Sequence, residues 1–169
     1  SARSVDPARR SVVDQTGTIY QYGKLLIATG ARPCRLAVPG AGLDGVFSFR
    51  SLADAAALQK WVSTNPGPVA IVGASFIAME LATWLTRMEI TVTLIDRADA
   101  VFPRLHSAAL ASYFLERCQS RGIKVLLGQT VREIHGAGKV AGLETTSGQK
   151  VACATVIIAI GAIPQTDFL

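Results

Sequence analysis

The chain has 169 residues, half of them apolar, enough to bury a sizeable core as one ordinary domain or slightly more. Seventeen basic against twelve acidic residues leave a net charge of +5, scattered without an aromatic-rich basic patch. That excludes a dedicated nucleic-acid binder and leaves steering of an acidic protein partner or of nucleotide phosphates.

No run of 18 apolar residues and no apolar leader core appears, so the expectation is a soluble, unexported, cytoplasmic chain without membrane contact. Cys34, Cys118 and Cys153 lie far apart, matching neither a redox C-x-x-C pair nor a metal spacing, so no metal site is expected.

The first thirty residues alternate as strands do, around Val12 and again from Thr18 to Gly30, with Asp6-Pro7 and Gln15-Thr16-Gly17 as turns. Residues 25–28 form a wholly apolar run fit for a buried strand. Residues 31–45, with Pro33, Pro39, Gly40, Gly42 and Gly45, read as a linker. Ser51 then caps a helix over residues 52–62 with Asp54 in its first turn, and Pro66-Gly67-Pro68 closes that segment.

Residues 69–96 read V-A-I-V-G-A-S-F-I-A-M-E-L-A-T-W-L-T-R-M-E-I-T-V-T-L-I-D, which is a strand, a tight turn, an apolar helix and a second strand ending in a carboxylate. That is the order of a dinucleotide-binding βαβ unit. Gly73, Ser75 and Ala78 occupy the three positions of its glycine pattern, with Ala74, Phe76 and Ile77 between them. Alanine at the third position still allows close helix–strand packing. Serine at the second puts a Cβ where backbone approaches the pyrophosphate, and its hydroxyl can donate to a phosphate oxygen in compensation. Asp96 stands where a carboxylate accepts hydrogen bonds from both adenosine ribose hydroxyls, which favours NADH over NADPH because a 2′-phosphate meets like charge. Should Asp96 not read the ribose, Arg97 or Arg104 is placed to accept a 2′-phosphate. A strand, turn and helix without any ligand gives the same pattern.

A polar loop leads next to a helix over residues 107–120, which Gly122 ends. Cys118 follows Leu110 and Phe114 at four-residue steps, on the apolar side of that helix. Residues 124–127 form a third parallel strand. Residues 131–151 alternate between glycines as in a three-stranded antiparallel meander. Residues 155–160 return as a buried strand running into Gly161-Ala162-Ile163-Pro164. The sum is an α/β fold, a Rossmann-like parallel sheet with helices and an antiparallel β-meander.

Two stretches, L-L-I-A-T-G-A-R-P at residues 25–33 and V-I-I-A-I-G-A-I-P at residues 156–164, each run from an apolar strand into Gly-x-x-Pro. With the glycine turn between them, the chain closely resembles flavoprotein reductases of the pyridine-nucleotide-disulfide oxidoreductase superfamily. The branch it looks most like comprises ferredoxin and rubredoxin reductases and apoptosis-inducing-factor-like proteins, whose nucleotide turn reads much like F-I-A-M-E-L-A.

The resemblance implies an FAD domain with an NAD(P)H domain inserted into it, hydride passing from NADH to flavin, and electrons moving on to a ferredoxin- or rubredoxin-type carrier protein. It implies that Gly73, Ser75 and Ala78 flank the pyrophosphate and that Asp96 holds the ribose. Glu80 matches an acidic position near nicotinamide and flavin and is the catalytic candidate. Gly161 and Pro164 match a turn passing beside the nicotinamide. Thr29, Gly30 and Arg32 match a turn returning toward FAD, where the arginine approaches its phosphates. Gln165 stands where the family usually has asparagine, and Gly23 where aspartate often follows the tyrosine.

The family's FAD fingerprint and its later flavin-closing segment are absent, so the chain reads as a middle piece of a reductase. Residues 1–32 are then partial FAD-domain strands, 33–66 a linker and helix, 67–164 the NAD(H)-binding domain, and 165–169 a return toward the FAD domain. Such a piece is not expected to hold FAD or to turn over by itself. A nucleotide-responsive binding protein like apoptosis-inducing factor, and a non-catalytic NAD-binding piece, stay open as alternatives. The electron acceptor and the oligomeric state stay open too.

Overall fold

The computed structural model describes residues 1–169, which fall into two compact units, Ser1–Arg32 with Ala162–Leu169, and Pro33–Gly161. In the first unit β1 (Ala2–Asp6), β2 (Ser11–Asp14) and β3 (Ile19–Gln21) form an antiparallel sheet in that order. The turn between β2 and β3 is organised by Asp14, whose carboxylate accepts from the Thr16 hydroxyl, the Thr16 and Thr18 N–H groups and the Tyr20 hydroxyl. Those bonds, the Thr16 hydroxyl foremost, hold the carboxyl below its ordinary range. β4 (Ala31–Pro33) pairs with Ala162–Pro164, the last strand of the chain.

Residues 25–28 are not a strand. They take no place in any sheet, and Leu26 is 87% exposed. Apolar composition favours burial but supplies no hydrogen-bonding neighbour. These residues pair with no strand, and Leu25, Leu26 and Ile27 all stay exposed, so composition alone does not place them in a sheet.

The second unit is built from β5 (Val46–Ser48), α1 (Leu52–Thr64), β6 (Val69–Val72), α2 (Phe76–Arg87), β7 (Val92–Ile95), α3 (Ala108–Gln119) and β8 (Lys124–Leu126), followed by the meander β9 (Val131–Ala137), β10 (Lys139–Thr145) and β11 (Lys150–Val151), and by β12 (Thr155–Ile158). Five strands make one parallel sheet in the order β5-β12-β6-β7-β8. β6 and β12 are buried at every position, as expected of strands covered on both faces.

Strand period two sorts their side chains. Val69, Ile71, Val92, Leu94 and Ile157 face the helices, in one cluster with Leu58, Ala78, Leu81, Leu85 and Cys118. Ala70, Val72, Ile95 and Val156 face the meander, where Val131, Ile134, Val140, Leu143 and Val151 meet them. The unit is therefore three layers deep, with the meander standing where a second helical layer would lie.

The helix ends follow from local chemistry. Ser51 and Asp54 form a reciprocal capping box on α1, which runs to Thr64, two residues beyond the expected end. Ser107 caps α3 through its hydroxyl, and Gly122 at φ +76° terminates it while Ile123 N–H reaches back to Cys118 O.

Two differences from expectation concern the approach to α1. Val46–Ser48 is the edge strand β5 rather than irregular chain, because it pairs in register with β12 through Val46, Phe47 and Ser48 opposite Val156, Ile157 and Ile158. The proline- and glycine-rich segment before it is laid down on the meander. Leu36, Val38 and Leu43 join the meander-side core, and Pro39 O accepts from Ile134 N–H. No helix is long and apolar enough to cross a membrane.

Candidate nucleotide site

β6, β7 and β12 end side by side at the carboxyl edge of the parallel sheet. From β6 the chain crosses to β7 on one side, while β12 lies on the other, so the ends of β6 and β12 flank a topological switch point. A cleft of about 640 Å³ opens there, within the range of small-ligand sites. Gly73, Ser75, Phe76, Asp96, Arg97, Arg104 and Gly161 all line it.

Gly73 makes the sharp exit from β6. It sits at φ +116°, and a Cβ there would lie 2.5 Å from Ala159 O, so only glycine fits. Its N–H donates to Ile95 O at 2.7 Å, which closes the turn against β7.

Ala74 is fully buried beneath the turn, and both its backbone groups are used by the loop after β7. Its N–H donates to Asp96 Oδ2 at 2.6 Å, and its carbonyl accepts from Phe102 N–H at 3.0 Å. Asp96 Oδ1 accepts from Ala98 N–H at 2.8 Å. The carboxylate therefore ties the glycine turn to the following loop as well as facing the cleft.

Ser75 is the N-cap residue of α2 but makes no side-chain cap, unlike Ser51 and Ser107 on the other two helices. The first N–H groups of a helix have no intrahelical acceptor, so those of α2 remain available at its positive end, along with the Ser75 hydroxyl. Phe76, 59% exposed, packs its ring 4.7 Å from that of Phe102, which in turn meets Phe114 at 4.8 Å. This aromatic row supports one wall of the cleft. Arg97 and Arg104, both exposed, add positive charge to its rim.

The remaining candidates lie elsewhere. Ala78 is wholly buried where α2 packs on the sheet, as the third glycine-pattern position requires. Ile77 and Glu80 line a separate groove of about 340 Å³ with Phe49, Gln59 and Trp84, and Glu80 is exposed. Thr29, Gly30, Arg32 and Pro164 belong to the other unit. There Thr29 donates its hydroxyl to Gln165 O, Gly30 O accepts from Gln165 N–H, and Arg32 pairs with Asp167 at 2.6 Å.

Sequence reasoning did not single out Gln129, Thr130, Cys34 or Phe102 as lining the cleft. For Gln129 the signal was present: it stands just past the end of β8, and ligands of parallel sheets gather at strand carboxyl ends.

The family model described as pyridine nucleotide-disulphide oxidoreductase matches residues 1–169. Among curated proteins the chain is similar to a rhodocoxin reductase of Rhodococcus erythropolis, with 31% identity over 96% of this chain and 38% of that protein. It is also similar to a rubredoxin-NAD(+) reductase of Pseudomonas putida, with 32% identity over 97% of this chain and 43% of that protein. Among solved structures a ferredoxin reductase from Rhodopseudomonas palustris superposes with a TM-score of 0.89 at 30% identity, over 99% of this chain and 42% of that one. The chain thus spans about two fifths of the length of the relatives it matches. With the glycine turn, the parallel sheet and the meander in place and the family model matched from end to end, the chain belongs to the pyridine nucleotide-disulphide oxidoreductase family.

Proposed function

We propose that the chain is the nucleotide-binding part, with adjoining strands of the flavin part, of an FAD-dependent reductase. That reductase takes hydride from NADH and hands electrons to a ferredoxin- or rubredoxin-type carrier protein. The observation that carries this reading is the uncapped start of α2 behind Gly73, opening on a switch-point cleft with Asp96 across from it. A turn with no room for a Cβ, free N–H groups and two rim arginines fit a diphosphate.

Bound there, the nicotinamide supplies the hydride; the protein supplies binding and alignment. The N–H groups of the first turn of α2 and the Ser75 hydroxyl hold the pyrophosphate. Each Asp96 oxygen already accepts one backbone N–H and keeps a second lone pair for a ribose hydroxyl. The same carboxylate repels a 2′-phosphate, which favours NADH over NADPH. Gly161 borders the nicotinamide end of the cleft, and Pro164 lies in the strand that follows it. Glu80, which lines the separate groove on α2 rather than the cleft, is the acidic group that the family resemblance assigns to the nicotinamide and flavin. Thr29, Gly30 and Arg32 serve the flavin side, to which the first unit belongs.

The names of the matched relatives, a rhodocoxin reductase and a rubredoxin-NAD(+) reductase, support the carrier-protein class. Three cysteines free of any disulfide suit the reducing cytoplasm. The test is spectroscopic. Purified full-length protein should show bound flavin whose absorbance bleaches with NADH faster than with NADPH and recovers when an oxidised ferredoxin or rubredoxin is added. A protein with no flavin, or with flavin indifferent to both nucleotides, would overturn the reading.

A further inference from the structure

We propose that Gln129 reads the adenine ring of the nucleotide, its Nε2 donating to a ring nitrogen while Ser147 holds its Oε1. This rests on the nucleotide reading of the cleft and adds the residue that recognises the base.

The placement follows from strand order. An adenine dinucleotide runs in a line from diphosphate through ribose to base. The cleft presents the glycine turn at the end of β6 and Asp96 at the end of the neighbouring β7. The next strand outward is β8, and Gln129 stands in the loop leaving it. Its backbone is fixed to the ribose residue itself, Gln129 N–H donating to Asp96 O at 3.0 Å, and the neighbouring Gly128 N–H donates to Ala98 O at 2.8 Å. With strands about 5 Å apart, one step along the sheet matches the reach from ribose to base.

The side chain is oriented by a relay. Ser147 Oγ donates to Gln129 Oε1 at 2.8 Å. That uses the Ser147 proton, so the hydroxyl of Thr145, 3.0 Å away and on a fully buried residue, donates to Ser147 Oγ. A buried hydroxyl thus anchors the chain of bonds, and the amide oxygen is committed away from the ligand. The amide nitrogen has no acceptor within the protein and offers two donors beside the cleft. Adenine presents unprotonated ring nitrogens, the complement of such a group.

The test is calorimetric titration of the complete protein with ADP-ribose, which carries the adenosine and both phosphates but donates no hydride. Gln129→Leu should weaken binding roughly tenfold, the scale of one hydrogen bond. Gln129→Glu keeps an acceptor for Ser147 and so preserves any purely structural role, yet replaces the donor with a carboxylate; it should weaken binding at least as much. Ser147→Ala frees the amide to rotate and should produce a smaller loss. ADP-ribose affinity within twofold of wild type in the Gln129→Glu protein overturns the assignment, and that variant decides the matter if Gln129→Leu fails to fold. Wild-type protein that binds neither ADP-ribose nor NADH would instead overturn the nucleotide reading beneath it.

Discussion

Asp96 is bonded to the turn that it faces: its Oδ2 accepts the N–H of Ala74 at 2.6 Å, so the carboxylate is part of the glycine turn's own structure. Asp96→Ala therefore has two effects. It leaves the N–H of a fully buried alanine unpaired, which should cost about 1–3 kcal/mol of stability with no nucleotide present. It also removes the ribose acceptor, so NADH should weaken by more than NADPH. Urea unfolding of the apo protein and calorimetry with both nucleotides check this. Equal losses for the two nucleotides would show that the carboxylate acts on the backbone alone.

Gly73→Ala should be among the most damaging single changes in the second unit. The residue is held at φ +116°, and the added methyl would approach Ala159 O to 2.5 Å, so β6 and β12 cannot both keep their places. Strain of this kind costs about 1–3 kcal/mol even before the clash is relieved. The expected outcome is a lower melting temperature together with loss of NADH binding. A variant of wild-type stability that still binds NADH would show that the turn can relax.

The parallel sheet was legible because burial on both faces leaves short, uninterrupted apolar runs such as those at Val69 and Thr155, and because a period-two pattern marks the meander. Helix ends were legible where a side chain caps them, at Ser51 and Ser107. Residues 25–28 misled because the same composition suits a buried strand, while pairing depends on neighbours that sequence does not specify. Val46–Ser48 escaped notice for the converse reason: only three residues long, it is defined by its register on β12. In the site, the turn and Asp96 could be read from spacing. The bond from Ala74 to Asp96 could not, since it joins two loops 22 residues apart.

The chain leaves α2 through an unusual residue, two positions past its last one. Glu89 occupies the left-handed region at φ +58°, and Ile90 N–H reaches back to Leu85 O, the arrangement in which glycine normally stands. A glutamate Cβ is disfavoured in that conformation, whereas glycine tolerates it. Glu89→Gly should therefore raise stability by about 0.5–1 kcal/mol without altering nucleotide affinity, as measured by thermal or urea unfolding. A destabilised variant would mean that the Glu89 side chain contributes more than the backbone strain it imposes.

Cys153 gives the fold a pH dependence on the alkaline side. The thiol is buried in the meander-side core, and desolvation pushes its pKa up from 9.0 to about 12. Between those values the unfolded chain releases the proton while the folded chain keeps it. Stability is therefore undiminished below pH 9 and falls as pH rises, by up to about 1.4 kcal/mol per pH unit. Cys118, also raised by burial, acts in the same direction. Unfolding by urea at a series of pH values from 8 to 11 should show this slope in wild-type protein and a shallower one in Cys153→Ala. Because the other groups that titrate in that range are shared by both proteins, the difference between the two slopes isolates the thiol. Parallel slopes would mean that the thiolate is tolerated in the folded core.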